Sequence, residues 1–190
     1  MIIGALGLRE ETTMRTEKGV TVIELMTAVA LLFVLLLVAV PNLSNVLERQ
    51  RLLGTTHSLV STMHLARSEA IKRNQRVVVC PSSDGVICRE DGDWSHGWIW
   101  FVDNESTGER SAGDVLIGSA SPDHAETIDI NGNQPVSDYV AYTSRGVTRR
   151  SSGALQMGSF TLCSRLGGRR VVISSIGRPR TASAPACGGD

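Results

Sequence analysis

The sequence predicts an α+β fold, with one long N-terminal helix packed on an antiparallel β-sheet domain. Three observations carry that expectation. Val46, Leu53, Val60, Met63, Ala66 and Ala70 step by three, four or seven, which is a helical stripe over Leu43–Arg73. From Arg76 onward short strand-like runs are separated by clusters of Gly, Asp, Asn and Ser. Nineteen glycines and 4% aromatic residues favour short strands and turns over a helical bundle. A chain of 190 residues holds one ordinary domain with an appendage. A formal net charge of zero and 42% hydrophobic residues exclude a wholly disordered chain and a many-span membrane protein. Four segments are expected: a leader over 1–19, an apolar helix half over 20–40, an amphipathic half over 41–75, and an exported β-rich domain over 76–190.

The apolar half reads VTVIELMTAVALLFVLLLVAV, Val20 to Val40, and is polar only at two threonines and Glu24. At a rise of about 1.5 Å per residue it matches a bilayer core of roughly 30 Å. It is the one run of its kind, so a single membrane anchor is expected. Arg15 and Lys18 before it imply a cytoplasmic N-terminus with the remainder exported. No A-x-A site follows, unlike a secretory signal. A carboxylate within a span costs on the order of 3 kcal/mol, which makes Glu24 a functional candidate. The alternative is an interfacial Glu that reaches back to water.

Lys18-Gly19-Val20-Thr21-Val22-Ile23-Glu24-Leu25 resembles the class III signal of type IV pilins and pseudopilins. The resemblance implies that prepilin peptidase cuts between Gly19 and Val20, that the new amine is methylated, and that Glu24 becomes the fifth mature residue. It also implies a pilin-like fold with two small sheets. In a filament the Glu24 carboxylate would pair with the N-terminal amine of a neighbouring pilin, so that each charge compensates the other. Two features depart from the pattern. Val20 stands where the family usually has Phe, which leaves methylation open, and the leader is long. Met14 would shorten it to MRTEKG, and we expect translation to start there.

Pro41 follows the apolar half, where pilin helices characteristically carry a proline, and a bend is expected rather than a stop. Gly54-Thr55-Thr56 is the weak point of the amphipathic half. The strands expected after it are Arg76–Cys80, Gly97–Val102, Val115–Ser119, Thr127–Ile130, Tyr139–Thr143, Ser159–Cys163 and Arg170–Ser174, followed by an irregular tail over 181–190. Trp98 and Trp100 alternate on one strand face, as core residues do. Four cysteines in an exported domain predict disulfides, with three connectivities possible. We favour Cys80–Cys88, which closes a short loop, and Cys163–Cys187, which ties the tail back; chain entropy assigns them roughly 2.6 and 3.5 kcal/mol.

Enzyme chemistry finds no constellation. His57 and His64 lie seven apart on the helix without the H-E-x-x-H pattern, and His96 and His124 are loop residues. There is no nucleophile elbow, P-loop or G-x-G-x-x-G, and the cysteine spacings suit neither zinc nor a redox pair. Asp91-Gly92-Asp93 and Asp103-Asn104-Glu105 do not make an EF-hand loop and read as solvated turns. No catalytic residue, metal or cofactor is expected.

Leu65-Ala66-Arg67-Ser68-Glu69-Ala70-Ile71-Lys72-Arg73, then Val79-Cys80, then Gly97-Trp98-Ile99-Trp100-Phe101-Val102-Asp103 resemble the GspH/FimT family of minor pilins and pseudopilins. Together with the leader these segments span about half the chain. Charge then separates the family's possible roles. Residues 84–138 carry twelve acids against two bases, a net of −10, while 145–190 carry eight arginines against one acid, a net of +7. Gly177-Arg178-Pro179-Arg180 resembles the G-R-x-R motif of DNA-binding minor pilins of the FimT type. The resemblance implies sequence-independent phosphate binding by Arg178 and Arg180, joined by Arg165, Arg169 and Arg170, with Arg145, Arg149 and Arg150 extending the patch. Gly177 would free the backbone to turn, and Pro179 would keep Arg178 extended. The expected function is a minor pilin that binds DNA for natural transformation. The alternatives are a structural minor pilin that primes assembly, and a type II secretion pseudopilin. Expected partners are other major and minor pilins, prepilin peptidase, DNA, and the inner membrane before filament entry.

Overall fold

The computed structural model describes residues 19–122, 125–184 and 187, with the side chains of all but 38–42. The leader over 1–18 with Met14, the loop residue His124, and tail residues 185, 186 and 188–190 lie outside the described residues. The chain divides into two units at Asn42/Leu43, and helix α1 (Val22–Arg73) contributes to both.

In the first unit, Thr21 opens α1. Its hydroxyl accepts the Glu24 N–H at 3.3 Å and its carbonyl accepts the Leu25 N–H at 3.0 Å. Thr21-Val22-Ile23-Glu24 is thus a capping-box sequence, with a carboxylate placed in the first turn, where the helix dipole favours it. Every large apolar side chain described from Val20 to Leu37 is exposed, Leu37 at 78%. Among the described residues no helix is long and apolar enough to cross a membrane; the expected span over 20–40 includes residues 38–40, whose side chains are not described.

The second unit carries the core. α1 continues from Leu43 and buries Leu52, Leu59, Met63, Ala66 and Ala70. This corrects the expected stripe in its first half: Val46 is 53% exposed, and Leu53 and Val60 flank the buried line one residue off. A step of seven keeps a helical phase, but it does not say which of two adjacent apolar residues faces inward. The helix passes through Gly54 unbroken, and the buried Thr56 satisfies its hydroxyl on the Leu52 carbonyl at 2.6 Å. It ends at Asn74, whose φ of +53° places it in the left-handed cap conformation. There Gln75 N–H bonds the Ala70 carbonyl, and Asn74 N–H bonds that of Ile71, both at 3.2 Å.

Eight strands follow: β1 (Val77–Pro81), β2 (Trp98–Val102), β3 (Val115–Ala120), β4 (Asp129–Gly132), β5 (Val140–Tyr142), β6 (Gly158–Ser164), β7 (Gly167–Ile173) and β8 (Pro179–Ser183). They form two antiparallel four-stranded sheets, ordered β3-β2-β1-β5 and β4-β6-β7-β8. The α+β expectation holds; six strands fall within one or two residues of their expected places, and β7 begins three residues earlier than expected. β8 has no expected counterpart: the segment read as loop and tail is a strand paired along β7, from Ile173↔Pro179 to Arg169↔Ser183.

One core fills the space between α1 and the inner faces of both sheets, with Trp94, Trp98, Tyr142, Phe160 and Ile130 among its members. Trp98 Nε1–H donates to Thr62 of the helix at 3.0 Å, and Trp94 Nε1–H donates to the Ser137 carbonyl at 2.6 Å. A second cluster, Val78, Cys80, Ile99, Phe101 and Ala141, covers the other face of the first sheet. The Cys80–Cys88 disulfide closes over that face. The second disulfide, Cys163–Cys187, crosses β7 at Gly168, where a Cβ would lie 2.2 Å from the Cys187 sulfur, so only glycine admits the bond.

Candidate functional site

The Gly177–Arg180 segment is built as the end of a β-hairpin. Between β7 and β8 the chain turns at Ser174–Gly177, with Gly177 N–H on the Ser174 carbonyl at 2.8 Å. Ser174 also binds Arg178 from both sides: its N–H and hydroxyl both donate to the Arg178 carbonyl at 3.2 Å, and its hydroxyl accepts the Arg178 N–H at 3.1 Å. Gly177 has a φ of +74°, and a Cβ there would stand 2.7 Å from the Gly146 carbonyl oxygen. It is therefore required twice, for its conformation and for the close approach of a second turn. The turn expected at Gly177 is present, and these bonds pin it.

Beyond the turn Pro179 is buried, and Arg178 and Arg180 on either side of it are exposed. This is the alternation of an extended segment, so the two guanidiniums stand on one side about 7 Å apart at the backbone. Arg180 is in register with Val172, and Arg170 with Ala182, which places Arg170 and Arg180 together on the outer face of the second sheet beside Thr161. Arg169 has the opposite parity and is exposed at the far end of β7, about 13 Å along the strand from Ile173.

Arg165 does not join them. It lies in the β6–β7 turn, at the opposite end of β7 from Arg178, and its Nη2 and Nε bind the Glu48 carboxylate at 2.7 and 3.1 Å. These hydrogen bonds from Arg165 hold the Glu48 carboxyl below its ordinary pKa. Arg165 thus fastens the sheet to the helix, and its charge is already matched. Arg149 is half-buried and donates to the Gly153 carbonyl at 3.1 Å within its own hairpin. Of the arginines from residue 145 onward, Arg145, Arg169, Arg178 and Arg180 are exposed and have no acidic partner among the described residues.

The acidic segment is spent on its own loops. Asp84 accepts the backbone N–H groups of Val86 and Ile87, Asp103 pairs with Arg76 at 2.9 Å and accepts Thr107 and Gly108, and Asp114 accepts Ser111 and Asn104. Asp91 is held by Arg89, whose hydrogen bonds draw its carboxyl down to about 2. Sequence reasoning read Asp91-Gly92-Asp93 and Asp103-Asn104-Glu105 as solvated turns, but Asp103 is buried against Arg76, because a loop's backbone N–H groups need its carboxylate inside. That reading also missed that Glu24 occupies a helix-capping position, although the T-x-x-E spacing was there to read.

The profile of a protein family described as type II transport protein GspH matches residues 55–177, about two thirds of the chain, and stops one residue before Arg178. No curated protein matches the chain by sequence. Among solved structures the chain is similar to the type IV minor pilin FimU of Pseudomonas aeruginosa strain PAO1 in two crystal forms. One gives a TM-score of 0.53 at 19% identity over 69% of this chain and 92% of that one. The other gives 0.52 at 21% identity over 73% and 91%. At such identities the likeness is one of fold.

Proposed function

The chain belongs to the GspH family, and we propose that it is a minor pilin of a type IV pilus that binds DNA without regard to sequence and supports DNA uptake. The observation that carries this reading is the pair Arg178 and Arg180, exposed on either side of a buried proline and unmatched by any acid of the described residues. A guanidinium pair on an extended segment suits successive phosphates, and Arg170 on the same sheet face extends the track. Binding through phosphates alone is steeply salt-dependent. The test is fluorescence anisotropy of the full chain in detergent with labelled DNA duplexes of unrelated sequence. Micromolar binding to all of them is expected at low salt, lost at high salt and in Arg178→Ala/Arg180→Ala. Full affinity in that double variant would remove the site.

The first unit belongs to the same reading. Cleavage between Gly19 and Val20, followed by filament entry, would place the exposed apolar residues of Val20–Leu37 first in the inner membrane and then among neighbouring pilin helices. Glu24 would there meet the N-terminal amine of an adjoining subunit. Glu24→Ala is expected to leave cleavage intact and reduce incorporation into pili. Mass spectrometry of the mature protein checks the cleavage: an N-terminus other than Val20 refutes it. A second reading, a type II secretion pseudopilin, is favoured by the description of the matching family. It predicts loss of secretion, with transformation intact, when the gene is deleted.

A further inference from the structure

Beneath Arg178 three elements meet. Gly177 of the β7–β8 turn presses on Gly146 of the turn after β5, as its Cβ position 2.7 Å from the Gly146 oxygen shows. Gly146 in turn sits on the helix: a Cβ there would lie 2.8 Å from Ile71 Cδ1 and 3.1 Å from Arg67 Nε. Arg67 of α1 is thereby packed against the turn that displays Arg145, and that turn in its own right meets the one that displays Arg178.

Arg67 is half-buried, yet among the described residues it has no carboxylate partner. The acid two positions along, Glu69, is taken by Lys72 at 3.5 Å and Arg73 at 2.8 Å. A partly desolvated guanidinium left without an anion is costly, and structures normally pair it. The Tyr142 hydroxyl beside it is fully buried and also lacks a protein partner. Burial raises the Tyr142 pKa, and the Arg67 charge opposes that rise. The ring of Tyr142 lies 3.1 Å from the Gly177 Cβ position, so this residue belongs to the same junction.

We propose that Arg67 and Arg145 form a phosphate-binding seat at the junction of the helix and the two turns, and that the DNA backbone is held there as well as by Arg178 and Arg180 along β8. The proposal rests on the DNA-binding reading and adds to it a residue of the helix. Arg67 is the half-buried member, packed beside Gly146, so it loses less freedom on binding than an exposed arginine and acts in a less screening medium.

The experiment compares Arg67→Gln, Arg67→Lys and Arg145→Gln with the unsubstituted full chain in detergent, by DNA titration at several salt concentrations. Arg67→Gln should weaken binding about tenfold and reduce the salt slope by about one, and Arg145→Gln about threefold. Arg67→Lys should keep the slope and recover part of the affinity, which a merely structural role for Arg67 would not predict. Thermal unfolding reports whether Arg67→Gln has lost its fold; if so, Arg67→Lys and Arg145→Gln decide. Unchanged affinity and slope in Arg145→Gln, together with a folded Arg67→Gln that matches the parent in both, or with an Arg67→Lys as weak as the unfolded variant where Arg67→Gln has lost its fold, would overturn the seat while leaving Arg178 and Arg180 as the site. No DNA binding by the unsubstituted chain would overturn both the seat and the reading on which it rests.

Discussion

In the first sheet the side chains that point away from the helix, Val78, Cys80, Ile99, Phe101 and Ala141, are all fully buried. Their counterparts in the second sheet, Thr161, Arg170, Val172, Arg180 and Ala182, are half-buried or exposed. The difference is written in composition. β1 and β2 read VVVCP and WIWFV, continuous apolar runs with both faces covered, while β6 alternates in burial and β8 is buried only at its proline. A covered face can hold no unpaired charge, so the arginines stand where the sheet is open. One sheet supplies stability on both sides, and the other keeps a side free for a partner.

The comparison can be broken most severely at Phe101. Phe101→Ala should cost about 3–5 kcal/mol in urea unfolding, because its cavity opens within the covered outer core. Thr161→Ala at the open face should stay within about 0.5 kcal/mol. Equal costs would mean that the second face is also covered in solution.

The disulfides come next. Removing Cys163–Cys187 by serine at both positions should cost about 3.5 kcal/mol, and removing Cys80–Cys88 about 2.6 kcal/mol, by the loop lengths they close. Denaturation of both variants checks the order. A larger loss from the shorter loop would show that covering the first sheet outweighs chain entropy.

Gly177→Ala should destabilise by about 1 kcal/mol or more, because alanine at positive φ is strained and its methyl meets the Gly146 carbonyl. DNA affinity should fall with it, although no arginine has been touched. Retained affinity would separate the turn from the site.

The smallest effect is that of pH. Backbone N–H groups lower the Asp84 carboxyl, and Arg89 lowers that of Asp91 to about 2. Both groups release protons more readily when folded, so their contribution is present above about pH 4 and is lost as pH falls toward 2. The unfolding midpoint should drop slightly over that window in the parent and less in Asp91→Asn.

Much of this was legible in the sequence, for reasons that differ by element. β1 and β2 announce themselves by unbroken apolar runs, and the two disulfides by the short distances they close. β8 was missed because P-R-T-A-S offers no apolar alternation; its pairing comes from β7, not from its own composition. The helix phase slipped by one residue because Leu52 and Leu53 are both apolar and only packing chooses between them. Arg165 looked like its neighbours, and its partner Glu48 lies 117 residues away. Gly177 was read as a hinge since Gly146, which demands it, is not its neighbour in sequence.

β8 also ends the second sheet, and that position has a cost unrelated to DNA. A terminal strand offers its outward backbone groups to any identical strand that comes alongside, and subunits crowded into a fibre meet often. Here Pro179 takes one donor away, the strand is only five residues long, and Arg180 sets like charge against like in a second copy. The side chain proposed to meet phosphate would therefore repel its own kind. A variant made only to weaken nucleic-acid binding, such as Arg180→Ala, would lose this guard and become more prone to stick edge to edge.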